Sequence, residues 1–466
     1  MIHRPIVLAL ALALLPTAGN AADLLQAYEL ARAGDAQYSA AEATRRAIKE
    51  GAVQARAAML PQINGEGVYS RSESDSSGNQ VFGSVLFPSN TTQETTTRNL
   101  GVNLDQMVFD RARFTQLRSQ RALSRASDFQ LEAAGDNLVT RTSAAYFNVL
   151  VQLETLAAAE AAEQALNKQF DYASKRLEVG LAPITDVHEA RAQFDTARAN
   201  TIIARNAVED AYQALAEITD TQIRNLQSLP ADFQPEMPAS QGIEEWVRTA
   251  IENNPALKAQ EFQVKSVAAD VDTARAGHWP TLYLGGNYGD RDTDGSSTNN
   301  LDDTITDFNS QSESRSLSLV LRVPIFAGGA TQSQVRQAAA RRDVASAELE
   351  QQRRALERNT RNSYQTLVAG ISEVEARRLA LFSAQSAYDA SQVGLEVGTR
   401  TVLDVLNNQN NLFTAQRAYA LARYNYLQNR LLLEQAAGTL DIDDVQQVNR
   451  LLTVSADVPP AVKDVP

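Results

Sequence analysis

One stretch of this chain is written twice. Leu177-Glu178-Val179-Gly180-Leu181-Ala182-Pro183-Ile184-Thr185-Asp186-Val187 returns 218 residues later, without a gap, as Leu395-Glu396-Val397-Gly398-Thr399-Arg400-Thr401-Val402-Leu403-Asp404-Val405. Each copy joins two helix-period patterns through a glycine, which is how a helical hairpin turns. A chain duplicated in this way folds as two like halves, and the rest of the sequence leads to a tip or away from one.

Before each tip runs a long segment free of proline, about 110 to 179 and 329 to 397. Tyr146, Val149, Leu150, Leu153 and Leu156 map at the same offset onto Tyr364, Leu367, Val368, Ile371 and Val374, so one apolar stripe recurs in one register. Seventy helical residues would extend ~105 Å at 1.5 Å per residue, far more than a globular domain uses. After the first tip, Val187, Ala190, Phe194, Ala197, Thr201, Ala204, Val208, Ala211, Leu215 and Ile218 alternate spacings of three and four, a coiled-coil seam. The second tip is followed by the same seam from Val405 to Ala436, with Asn408 and Asn429 admitted.

Upstream, helical spacing from Asp23 to Met59 stops at Leu60-Pro61, and Thr273 to Pro280 echoes that stop. Residues 62–71, 96–109, 281–290 and 314–326 follow a period of two; Leu317, Leu319, Leu321, Val323 and Ile325 share one face. Ser72 to Thr95 and Arg291 to Glu313 read as long polar loops. The expected organisation is a signal peptide at 1–21, repeat 1 at 22–229, a linker at 230–242, repeat 2 at 243–440 and a weakly ordered tail at 441–466. Within the repeats, long helices 110–179 and 329–397 lead to tips 180–184 and 398–402, followed by helices 185–220 and 403–437.

Four amphipathic strands of about ten residues each are long enough to cross a bilayer when tilted. Four cannot close, and open edges do not survive in lipid, so closure needs further copies. The apolar run Ile6 to Leu15, the Pro16 break and the small residues before position 22 direct the chain out of the cytoplasm. No later run is long and apolar enough for a spanning helix.

Composition removes other classes. With 43 basic and 56 acidic residues the net charge is −13, against nucleic-acid binding. There is no cysteine, and the only histidines are His3, His188 and His278, so thiol chemistry is excluded and imidazole sites nearly so. Gly328-Gly329 lacks the further glycines and the lysine of a phosphate loop and reads as a strand-to-helix bend. Neither an enzyme, a metal site nor a cofactor is expected.

The duplicated Val-Gly tips and the run Arg400-Thr401-Val402-Leu403-Asp404-Val405 resemble the periplasmic hairpin tips of TolC-family outer-membrane channels, and the similarity extends over nearly the whole mature chain. The resemblance implies a mostly α protein with membrane β structure. Three copies share a 12-stranded β-barrel in the outer membrane of a Gram-negative bacterium, continued by an α-helical coiled-coil tunnel in the periplasm. It implies a homotrimeric exit duct for multidrug efflux, type I protein secretion or both. The partners would be outer-membrane lipid, a periplasmic adaptor (membrane fusion) protein and an inner-membrane RND, ABC or MFS transporter. Without cysteine the chain carries no N-terminal lipid.

By motif position, Arg400 and Asp186, with Thr185 beside them, are the candidates for a latch between neighbouring protomers, and Asp404 for an acidic ring in the pore. Asn407 stands where relatives often have a second Asp, and Leu395 where the family has a Tyr. Both departures imply a weaker latch and less cation preference. Val179, Gly180, Leu181 and Val397, Gly398, Thr399 are the implied adaptor contacts. Asp404 also has a local reading, because Thr401-Val-Leu-Asp404 approximates a capping box. The competing function is a coiled-coil structural or adhesive protein of the cell surface.

Overall fold

The computed structural model describes residues 22–82, 84–237 and 242–456. The expected signal peptide, residues 238–241 of the expected linker and 457–466 of the tail lie outside them. The chain divides into two compact units: one holds residues up to Ala43, Gln130–Leu257 and those from Gln352 on, the other Thr44–Phe129 and Lys258–Gln351.

The second unit is built on one antiparallel sheet. Strands β1 (Gln62–Phe82) and β2 (Val85–Phe109) pair throughout, Gln62 opposite Asp105 and Phe82 opposite Val85. The expected loop Ser72 to Thr95 is therefore corrected to strand. The same holds in the second half, where only 300–303 turn the chain between the last two strands of the sheet, Thr281–Asn299 and Thr304–Arg322. Side-chain polarity misleads here because antiparallel pairing satisfies backbone groups whatever the side chain, and the β-branched run Thr95-Thr96-Thr97 favours extended backbone. The final strand stops at Arg322, and residues 323–327 follow without strand pairing before Gly328 and Gly329 bend the chain at φ 59° and 81°.

Beyond the sheet, this unit's helical parts are joined by side-chain contacts. Arg45 and Lys49 hold Asp128 at 2.6 and 3.0 Å, Ser119 meets Ser266 at 2.9 Å, and Phe129 stacks on Phe262.

The other unit is helical. The first expected helix is interrupted: α1 (Leu24–Gly34) and α2 (Ala36–Ala57) part at Asp35, whose carboxylate accepts the Tyr38 N–H at 2.6 Å and pairs with Arg141. The long helix α3 (Arg111–Glu178) runs to the first tip, and α4 (Ile184–Thr219) returns from it. The short strand β3 (Gln227–Ser228) follows, then α5 (Ile243–Asn253) and α6 (Pro255–Ala276), parted at Asn254 as the first pair is at Asp35. With the two sheet strands of the second half numbered β4 and β5, sheet order is β1-β2-β4-β5. The second long helix is α7 (Ala330–Glu396), and α8 (Val402–Ala437) returns from its tip.

The expected tail is corrected in part. Residues Ile442–Asn449 form a helix, α9, capped by Asp441, and β6 (Val454–Ser455) pairs with β3. Asp441 and Asp444 form a reciprocal capping box, a local signal that composition alone hides.

The core of the helical unit is assembled from Leu24, Tyr146, Leu150, Leu215, Leu367 and Leu427, all essentially without solvent contact. The α4 seam residues Ala190, Ala197, Thr201, Ala204, Val208, Ala211 and Leu215 are buried where the heptad places them. Helix α8 buries its seam and a second face as well, through Ala420, Arg423, Tyr424, Leu427 and Leu431.

Candidate gate and hairpin tips

Both tips end their long helix on a left-handed glycine. Gly180 has φ 73° and Gly398 φ 77°, a conformation a Cβ disfavours, and both lie in open space. Around them Val179, Leu181 and Val397 are 67–69% exposed, so each tip presents apolar side chains and accessible backbone.

The two turns are built differently. In the first, the Leu181 N–H donates to the Arg176 carbonyl at 2.7 Å, and the Arg176 guanidinium reaches the Leu181 carbonyl at 3.2 Å. Pro183 begins α4 without a side-chain cap, placing Thr185 exposed and Asp186 half-buried in the first turn, where a carboxylate suits the helix dipole. In the second, position 394 is glycine, and its carbonyl accepts the Thr399 N–H at 2.8 Å, the Arg400 N–H at 3.1 Å and the Thr399 hydroxyl at 3.2 Å. A Cβ there would stand 2.6 Å from Arg400 Cγ, so the arginine stem lies over the bare glycine. Gly394 was not among the residues singled out from sequence. Its signal is a lone glycine inside a helix, four residues before the tip glycine.

Asp404 closes a capping box with Thr401. The Thr401 N–H and hydroxyl each donate to Asp404 Oδ2 at 2.9 Å, and the Asp404 N–H donates to Thr401 Oγ1 at 3.2 Å. Those bonds from Thr401, with Arg400 nearby, hold its carboxyl below the usual carboxylate range. The local reading of Asp404 is thus realised, and the residue orders the start of α8. Asn407, one turn on, is exposed, whereas Leu395 is buried against the turn. Arg400 is exposed, and within the chain it is not brought to Asp186.

Away from the tips lies a polar centre that sequence reading did not reach. Arg423 is buried on α8, holds both oxygens of Glu154 on α3 at 2.7 and 2.9 Å, and donates to the Pro230 carbonyl at 3.2 Å. The Tyr424 hydroxyl donates to the same carboxylate at 2.9 Å, and the guanidinium lies 4.7 Å from the Tyr419 ring centre. Glu154 falls between stripe positions of α3, so periodicity alone marks it as a surface residue.

A duplicated helical hairpin body joined to an amphipathic four-stranded sheet with two open edges defines a channel subunit. The sequence pattern of the outer membrane efflux protein family matches residues 27–220 and 246–439, one match per repeat, and the chain belongs to that family. It is 32% identical over 454 residues to outer membrane protein TolC of Escherichia coli K12, covering 96% of this chain and 89% of that protein. It is also 26% identical over 456 residues to the proteases secretion protein PrtF of Dickeya chrysanthemi, covering 96% and 95%. The CmeC outer membrane channel of Campylobacter jejuni has the same fold, with a TM-score of 0.71 at 17% identity over 92% of this chain and 90% of that one.

Proposed function

We propose that three copies of this chain form an outer-membrane exit duct that crosses the periplasm and serves tripartite drug efflux, type I secretion or both. The observation that carries it is the sheet. Strands β1 and β5 each leave an edge unpaired within the chain, and Leu317, Leu319 and Leu321 stand exposed along one face of β5. Such a sheet is stable in lipid only when its edges meet those of other copies, and three chains give 12 strands. The apolar bands occupy the strand parts next to the helices; the polar stretches 72–80 of β1 and 89–97 of β2 reach beyond them. The barrel lies in the outer membrane, the helices in the periplasm, and the chain is unlipidated.

The hairpin tips are the moving part. Arg400 of one protomer and Asp186 of the next, with Thr185 adjacent, form the latch; each such exposed pair contributes ~0–1 kcal/mol, so three copies act together. Asp404, ordered by its cap, contributes a ring of three carboxylates. The tips untwist when the adaptor engages the Val-Gly turns and an inner-membrane transporter is in place.

Single-channel recording of the mature protein in planar bilayers, wild type beside Arg400→Ser, tests this. A small cation-preferring conductance that rises in the variant is expected. A pore indifferent to the change would relocate the latch, and no pore at all would favour the cell-surface coiled-coil reading.

A further inference from the structure

The two repeats bury different amounts of equivalent helix faces, and the difference has a pattern. Inside the chain α3 of repeat 1 meets α8 of repeat 2: Phe147 stacks on Tyr424 with ring centres 6.0 Å apart, Gln428 Nε2 donates to the Thr140 carbonyl at 3.2 Å, and Arg423 holds Glu154. The offset of 218 converts each of these into a position on α7 or α4. There the faces are open. Leu150 is 1% exposed and its counterpart Val368 41%; Tyr424 is 1% exposed, whereas its counterpart Asn206 stands in solvent.

The chemistry changes along with the exposure. The α3 face positions Asp136, Thr140 and Phe147 become Arg354, Arg358 and Gln365 on α7, which line an open groove of about 480 Å³ together with Glu357, Arg361 and Asn362. The α8 face positions Tyr424, Gln428 and Leu431 become Asn206, Asp210 and Gln213 on α4, all exposed, while Arg423 becomes Arg205, held by Glu160 at 2.9 Å, and the neighbouring Glu209 is held by Arg224. An arginine-lined groove and an exposed polar face carrying Asp210 thus occupy, on opposite repeats, the places that a mixed aromatic and polar contact fills within the chain.

In a closed ring of three two-repeat chains, repeat 1 touches repeat 2 within each chain and repeat 2 touches repeat 1 of the next, and similar repeats use similar faces for both. Resting on the trimeric reading above, we propose that the arginine groove of α7 receives the exposed α4 face carrying Asp210 from the neighbouring copy. The Thr140–Gln428 contact is there replaced by Arg358 against Asp210. Arg361 is already held by Glu244, at 2.5 and 3.0 Å, and among the described residues Arg358 reaches the amide oxygen of Asn359 alone, at 3.5 Å, so Arg358 is a guanidinium positioned for a second chain. Charge steers such a contact and fixes its register, and it exchanges with water more readily than Tyr424 and Leu431 do.

The absence of cysteine makes the test direct. The double variant Asp210→Cys/Arg358→Cys is purified in detergent, treated with a short bis-maleimide, and compared with each single variant; native mass spectrometry reports the oligomer before treatment. Conversion of most of the single-chain band to two- and three-chain species, in the double variant alone, is expected. A second set uses charge. Asp210→Lys or Arg358→Glu alone should lower the temperature at which the trimer dissociates, and the two together should restore it. A trimer that forms yet gives no inter-chain product and no charge rescue overturns this contact while leaving the duct intact. A wild-type protein that is not trimeric overturns the duct and the contact with it.

Discussion

The carboxyl of Glu434 should make the C-terminal helix a pH-dependent clasp. Glu434 lies near the end of α8 and Asp444 in the first turn of α9, and each is only 9% exposed. Burial first, then the neighbouring Asp444 and more weakly Asp441, pushes the Glu434 carboxyl up to about 7 from 4.5; Arg430 and the Thr439 hydroxyl oppose this. Asp444 is displaced upward as well, again chiefly by burial. The closed form therefore keeps a proton between these values that the open form has already lost. A raised carboxyl favours the closed state fully below about 4.5, and the advantage declines as pH rises to about 7, then stays constant. At about 1.4 kcal/mol per unit the full range is roughly 3 kcal/mol, an upper bound because the neighbouring acids titrate with it. Hydrogen exchange of residues 440–452, corrected for intrinsic rates, reads it. Wild-type protection should fall by about one to two powers of ten from pH 5 to 7.5, and Glu434→Gln should fall distinctly less, keeping only the part that Asp444 contributes. Equal slopes in the two proteins would refute burial of this carboxyl as the cause.

Two further outcomes follow from other parts of the molecule. Arg423→Ala leaves Glu154 with the Tyr424 hydroxyl alone in a largely buried setting, and thermal unfolding should show a loss of about 2–3 kcal/mol, the lower part of the range because Glu154 keeps some solvent. Glu154→Gln in the same background should recover part of it. Gly394→Ala inserts a Cβ 2.6 Å from Arg400 Cγ and should displace the arginine without removing its charge. Recorded in bilayers, this variant should raise the conductance, as is expected of Arg400→Ser; an unchanged conductance would show that the position of the arginine is immaterial.

What could be read from the sequence was what repeats. The two tips, the two long helices and the α4 seam follow from periodicity and from an offset that needs no structure, and the glycines at 180 and 398 announced their own backbone. The far halves of the strands could not be read in this way, because residues such as Ser72 to Ser77 carry no alternation, and what orders them is pairing with a strand that must first be placed. Helix α9 was hidden by an acidic, proline-ended composition, though Asp441 and Asp444 held its cap three residues apart. Arg423 and Glu154 lie 269 residues apart, at positions the offset of 218 does not relate, each unremarkable beside its own neighbours. At the second tip, sequence named Arg400 and Asp404 but not Gly394, whose bare Cα leaves room for the arginine stem.

The start, middle and end of the helical unit are sewn together at one place. The Ala22 N–H donates to the Asn225 carbonyl at 2.7 Å, the Tyr146 hydroxyl donates to the Gln227 carbonyl at 2.8 Å, Thr453 donates to Ser228 at 3.0 Å, and Leu24 bonds Asn449 across 425 residues. Contacts so distant along the chain form late, because the intervening loop must be ordered first. The seam is complete only when residues as late as Thr453 are in place. A copy cut short before residue 449 therefore loses the bonds that hold both Leu24 and Ser228, so a truncation at one end loosens two distant parts of the helical unit.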